Sequence, residues 1–102
     1  MKYDKLVRNK IPDIIKKKGL AAIIHIAEDK EYWEKLKEKL REEVDEFLNE
    51  SNKEELSDIF EVIDAICKFK NFDKKELENI RKKKAEKRGD FKDKIILEEV
   101  KE

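Results

Sequence analysis

Two stretches of the chain carry large apolar residues at steps of three and four. Trp33, Leu36, Leu40, Val44, Phe47 and Leu48 trace one stripe, and Leu56, Ile59, Phe60, Ile63, Ile66 and Cys67 trace a second. That spacing gathers side chains on one face of an α-helix and predicts two long helices. The first opens at Asp29 and runs to about Asn49, and the second runs from Asn52 to about Lys70. Glu50-Ser51-Asn52 is the joint. Asn52 with Glu55 three residues on has the form of a capping box. Asp73 with Glu76 repeats it and predicts a third helix through about Arg88, where Gly89 ends it. Only Leu77 and Ile80 are large and apolar there, so this helix packs thinly. Pro12 suits the first turn of a short helix that runs through Lys18 and stops at Gly19.

The remaining segments read as extended. Met1 to Lys10 has no periodicity, and Leu20 to Ala27 is too short and too β-branched for a helix. In the tail from Phe91 to Val100, Ile95-Ile96-Leu97 has the composition of a short strand that would pair with Ile23 to Ile26. The expected fold is therefore all-α, an antiparallel helical bundle with room for one minor pair of strands, in a single domain over residues 1–102.

Composition narrows the functional classes. The charged fraction is 51% and the hydrophobic fraction 38%, with 26 basic and 26 acidic residues in balance. A neutral chain has no global attraction to nucleic acid or anionic membrane, so any anionic ligand must be held locally. The single cysteine excludes an internal disulfide and suits a reducing cytosol. There is no membrane-length apolar run, and the reading is soluble and cytoplasmic.

Candidate chemistry lies in the acids. The first long helix carries Glu42-Glu43-Val44-Asp45-Glu46 and the second Glu55-Leu56-Ser57-Asp58. Glu43 and Glu46 are i, i+3 neighbours, as are Glu55 and Asp58. A short joint makes the helices antiparallel, so the end of one lies beside the start of the other and the four acids converge. Carboxylates at close range repel unless protonated or neutralised, and a divalent cation resolves that conflict. All-oxygen ligation favours Mg²⁺, with Mn²⁺ as the alternative. Against this stands a plainer reading, in which the acids pair with lysines on solvated faces. Glu61 and Asp64, one turn further on, are a second candidate pair.

Three stretches resemble a known family. Lys5-Leu-Val-Arg-Asn-Lys-Ile-Pro12 resembles the "KLVRDKIP" opening of small house-cleaning nucleotide pyrophosphatases in the MazG-like, all-α superfamily. Glu42-Glu43-Val-Asp-Glu46 followed by Glu55-Leu-Ser-Asp58 resembles its central E-E-x-x-E and E-x-x-D pattern, and Lys84-Ala-Glu-Lys-Arg88-Gly-Asp-Phe91 its basic closing segment. Asn9 stands where the group has Asp. The interval between Glu46 and Glu55 is shorter than in MazG proper, and a longer one would make Glu61 and Asp64 the second pair. The resemblance implies Mg²⁺-dependent hydrolysis of nucleoside triphosphates to the monophosphate and pyrophosphate. It assigns Glu43, Glu46, Glu55 and Asp58 to the metal and Glu42 to the outer shell or to water activation, beside Glu43. Arg8, Lys10, Lys84 and Arg88 would grip phosphates. It also implies a homodimer or homotetramer.

Other residues read more plainly. His25 has a structural role, Cys67 lies in the core, and Trp33 belongs to the core or a dimer interface, with base stacking as the alternative. Three competing functions remain: phosphoribosyl-ATP pyrophosphohydrolase from the same superfamily, a non-enzymatic helical interaction module, and nucleic-acid binding, which the balanced charge disfavours.

Overall fold

The computed structural model describes residues 3–102 and contains four helices in the order α1 (Ile11–Lys17), α2 (Asp29–Glu50), α3 (Lys53–Lys70) and α4 (Lys74–Arg88). Met1 and Lys2, part of the expected irregular opening, lie outside the described residues. The fold is all-α, as expected, and the helix boundaries fall close to those read from the pattern. The expected strands do not form among the described residues. Ile23, Ile26, Ile95, Ile96 and Leu97 stay exposed. Without a neighbouring ladder, an extended segment leaves its backbone groups to water.

The chain divides into two compact units, one ending at Lys70 and one spanning Asn71–Glu102. In the first, α2 and α3 form a hairpin. Acidic Asp29 and Glu31 in the first turn of α2 face the positive end of its dipole. The helix stops at Ser51, whose φ of 52° is left-handed and whose N–H reaches the Phe47 carbonyl. Asn52 then caps α3, its Oδ1 accepting from the Glu55 N–H at 2.9 Å, as the capping pattern predicts.

The hairpin is antiparallel. Near its open end Trp33 stacks on Phe69 with ring centroids 5.9 Å apart, and Tyr32 meets Phe69 edge-on. Near its closed end Glu43 lies beside Glu55 and Asp58. The core between the helices is small: Leu36 is fully buried, and Val62 and Cys67 nearly so. Cys67 is a core thiol, as expected.

The face α3 turns inward differs from the expected stripe. Ile59, Val62, Ile66 and Phe69 lie inward together with Glu55 and Asp58, whereas Leu56, Phe60 and Ile63 are exposed. Apolar residues cover both arcs of this helix, and the arc that packs on α2 is the one that carries the acids. In α1, Pro12 occupies the first turn, and Gly19 follows with a φ of 80° that suits a residue without Cβ.

The second unit is built on α4. Asp73 caps it by accepting from the Lys75 N–H at 2.9 Å, and Gly89 ends it with a φ of 82°. Leu77 and Ile80 remain exposed, in keeping with a thinly packed helix. Among the described residues, no helix is long and apolar enough to cross a membrane.

Candidate metal centre

The closed end of the α2–α3 hairpin brings three carboxylates together. Glu43, Glu55 and Asp58 each offer an oxygen, and these oxygens lie within 4.8 Å of one another. Glu43 comes from the third-last turn of α2. Glu55 and Asp58 come from the first two turns of α3, where the Asn52 cap fixes the start of the helix. Because α3 turns its 55–59–62–66 arc inward, Glu55 enters the packed face despite its charge.

Burial gives this group its character. Glu43 is only 7% exposed. Its Oε2 and the Oε2 of Glu55 are both buried without a hydrogen-bond partner. A buried, unpartnered carboxylate oxygen is costly. Burial pushes the Glu43 carboxyl above its ordinary range, and the neighbouring Glu46 pushes it further the same way.

The oxygen spacing fits a divalent cation. Glu43, Glu55 and Asp58 would be the residues to hold such an ion, drawing closer together around it. A bound Mg²⁺ would supply positive charge to phosphate oxygens there.

Cations border the acids. Lys39, on the same flank of α2, places Nζ 3.2 Å from Glu42 Oε2 and 3.4 Å from Glu43 Oε1. Lys5 Nζ donates to Glu42 Oε1 at 2.9 Å. Arg8 Nη2 donates to Asp58 Oδ1 at 3.0 Å, with Nη1 4.0 Å from Glu61 Oε1. The stretch before α1 is thereby laid along the hairpin, helped by Lys35 Nζ on the Asp4 carbonyl at 2.7 Å. Partial burial would raise the Glu42 carboxyl, but the hydrogen bonds from Lys5 and Lys39 outweigh it and hold the group below its ordinary range.

Of the acids singled out in the sequence, Glu43, Glu55 and Asp58 thus form one group. Glu46, half-buried one turn beyond Glu43, is close enough to act on the Glu43 charge but lies outside that group. Glu42 is engaged by two lysines. Glu61 faces Arg8, and Asp64 pairs with Lys68 at 3.0 Å; neither belongs to the three-carboxylate group. Lys10 is the exposed residue that precedes α1, and Lys84 and Arg88 are exposed on α4 of the second unit.

Sequence reasoning missed Lys39. Its signal was present, since a lysine three and four residues before Glu42 and Glu43 shares their flank, but it is one of many such pairings in a chain this rich in charge. His25 is exposed, and its Nε2 meets both Glu31 oxygens at 2.9 and 3.0 Å. Trp33 is engaged with Phe69, and Lys70 lies 4.2 Å from its ring centre. It sits ten helical residues from Glu43, about 15 Å along the axis.

No protein-family model matches the chain, and no curated protein or solved structure is detectably similar to it.

Proposed function

We propose that the protein is a Mg²⁺-dependent nucleotide pyrophosphohydrolase of the MazG-like kind, hydrolysing nucleoside triphosphates to the monophosphate and pyrophosphate. One observation carries the metal in this reading: the buried, unpartnered Glu43 Oε2 and Glu55 Oε2 belong to a group of three carboxylates whose oxygens lie within 4.8 Å. The choice of reaction rests on the order of the three motif stretches in the sequence.

Glu43, Glu55 and Asp58 hold the cation, with Glu46 available from the next turn. A bound Mg²⁺ supplies neutralising charge for the phosphate chain and acidifies water. Of the two acids assigned to water activation, Glu43 is the one inside the carboxylate group. Glu42, charged and held by Lys5 and Lys39, anchors those lysines instead. Arg8 presents a planar fork suited to phosphate oxygens, and Lys10 stands close by in the chain. Self-association belongs to the same reading. Leu56, Phe60 and Ile63 form an exposed apolar arc on α3, Phe60 being 65% exposed, and a second copy of the chain would cover it.

The decisive experiment incubates the protein with Mg²⁺ and a panel of ribo- and deoxynucleoside triphosphates and phosphoribosyl-ATP, with products followed by ³¹P NMR. Monophosphate and pyrophosphate are expected, and their formation is expected to stop in Glu43→Gln. A folded, metal-loaded protein that leaves every nucleotide intact refutes the enzyme reading. A second reading, a non-enzymatic helical interaction module, draws on the same exposed arc of α3. It requires metal affinity to be unchanged in Glu43→Gln and Asp58→Asn.

A further inference from the structure

Arg8 occupies an oxygen of a residue assigned above to the metal. Its Nη2 lies 3.0 Å from Asp58 Oδ1, while Glu61 Oε1 waits 4.0 Å from Nη1. The backbone around it is fixed on both sides. Upstream, Lys35 holds the Asp4 carbonyl and Lys5 holds Glu42; downstream, the Arg8 carbonyl accepts from the Ile11 N–H at 3.1 Å at the start of α1. The Arg8 side chain is 57% exposed, so it can leave Asp58 by side-chain rotation alone. The other cation touching the group, Lys39, lies against Glu43 Oε1 and leaves Glu43 Oε2 open.

We propose that Arg8 is an exchangeable counter-ion of the metal centre: it holds Asp58 while the site is empty, is displaced toward Glu61 by an entering divalent cation, and is thereby released to bind an anionic ligand. Two consequences follow. Arg8 competes with the cation for Asp58, so removing it tightens metal binding. The cation also prepares the anion site, so by linkage metal and phosphate strengthen one another through this side chain. The inference rests on the metal reading of the preceding section and adds a coupling between the metal and the anion through one side chain.

The test is Mn²⁺ binding, followed by electron paramagnetic resonance of the free ion, to the wild-type chain, Arg8→Gln, Arg8→Lys and Lys17→Gln. Lys17 is the control for simple loss of charge, since it is exposed in the last turn of α1 and has no part in the proposed site. Arg8→Gln is expected to bind Mn²⁺ about fivefold more tightly, the upper size of a part-exposed ion pair that no longer has to be broken. Lys17→Gln is expected to change affinity by less than about twofold, the lower size of such an effect. Arg8→Lys keeps the charge but loses the fork and falls between, which preserves the test if Arg8→Gln misfolds. In parallel, the Arg8 Nε–H resonance is expected to move when Mg²⁺ is added to labelled wild-type protein. Wild-type binding with no tightening in Arg8→Gln overturns the exchange and leaves the metal reading standing. Failure of every variant to bind Mn²⁺ at millimolar concentration overturns both.

Discussion

Glu43 on α2 and Glu55 on α3 face each other across the closed end of a helical hairpin, each with a buried oxygen that no hydrogen bond satisfies. Two acids in that position work against the fold that holds them. The hairpin contacts hold the helices together regardless, through Leu36, Val62 and Cys67 and the Trp33–Phe69 stack at the far end. The local conflict is what a cation would relieve, and the first two predictions follow from it.

Glu43→Gln separates stability from binding. At neutral pH the substitution removes a nearly buried charge whose Oε2 has no partner. It also weakens the contact with Lys39, which remains paired to Glu42. The metal-free protein is expected to gain roughly 1 kcal/mol, because a neutral amide costs less to bury than a charged carboxylate. The gain should appear as a higher midpoint in urea unfolding. The stabilisation that Mg²⁺ gives the wild type is expected to vanish in the variant, because ligand-linked stability requires the ligand to bind.

Proton competition sets the pH dependence of metal binding. The Glu43 carboxyl titrates above the ordinary glutamate value of 4.5 because of burial and the adjacent Glu46 charge. A group with a raised folded-state pKa lends stability that is full below its unfolded value and is lost as pH rises through the folded value. Glu43 therefore opposes the metal-free fold at neutral pH. Glu42, lowered by its two lysines despite its burial, behaves in the opposite sense: its contribution is present above 4.5 and is lost as pH falls through its folded value. Titrating Mn²⁺ affinity by calorimetry, we expect the loss of binding on acidification to begin above the ordinary glutamate range. Loss only well below pH 4.5 would show that the Glu43 proton does not govern the site.

Exchange of ions at Asp58 can also be read from salt dependence. The Arg8–Asp58 pair is part-exposed, so added salt screens it. Metal affinity of the wild type is expected to fall less steeply with NaCl than that of Arg8→Gln, because screening weakens both the cation's attraction and its competitor. Parallel slopes for the two proteins would count against competition at Asp58.

The hairpin was legible in the sequence because its determinants are local. The capping pair Asn52 and Glu55, the acids opening α2 and the spacing of apolar positions each act within one or two turns. The inward arc of α3 was not. Leu56, Ile59, Phe60, Val62, Ile63 and Ile66 leave two overlapping stripes, and only packing against α2 selects 59–62–66 over 56–60–63. The acid group followed from helix periodicity and a short joint, which brought Glu43, Glu55 and Asp58 together. Its cationic surroundings depend on contacts across long stretches of chain, such as Arg8 with Asp58 and Lys5 with Glu42. Among so many lysines and arginines, no spacing rule selects these partners. Ile95 to Leu97 and Ile23 to Ile26 had the composition of strands, but composition does not fix the pairing that a ladder needs.

Ser51→Gly tests the joint that places Glu55. Ser51 adopts a φ of 52°, a left-handed conformation that costs a residue with a Cβ about 1 kcal/mol. Glycine removes that cost but loses more chain entropy on folding, which offsets part of the gain. A net stabilisation of roughly 0.5 kcal/mol is expected, with metal affinity unchanged, because the Phe47 carbonyl still receives the residue-51 N–H. A denaturation midpoint below that of the wild type would mean that the serine side chain contributes an interaction at the joint.

Core packing gives the last prediction, and its size follows from how little core there is. Leu36 is the one large side chain among the described residues that is fully buried, while Leu48 on the same helix is 68% exposed. Leu36→Ala is expected to cost about 2–5 kcal/mol from lost transfer energy and the cavity left behind. A chain of 102 residues has on the order of 5–15 kcal/mol of total stability, so the substitution removes a large share of it. Leu48→Ala, exposed on the end of α2, is expected to change stability by less than about 0.5 kcal/mol. Urea unfolding followed by circular dichroism at 222 nm measures both. The loss in Leu36→Ala should also weaken metal binding, because the same hairpin packing sets the distance between Glu43 and the acids of α3. If Leu36→Ala lost stability while Mn²⁺ affinity held, the carboxylates would be positioned by the joint and its cap alone rather than by the core.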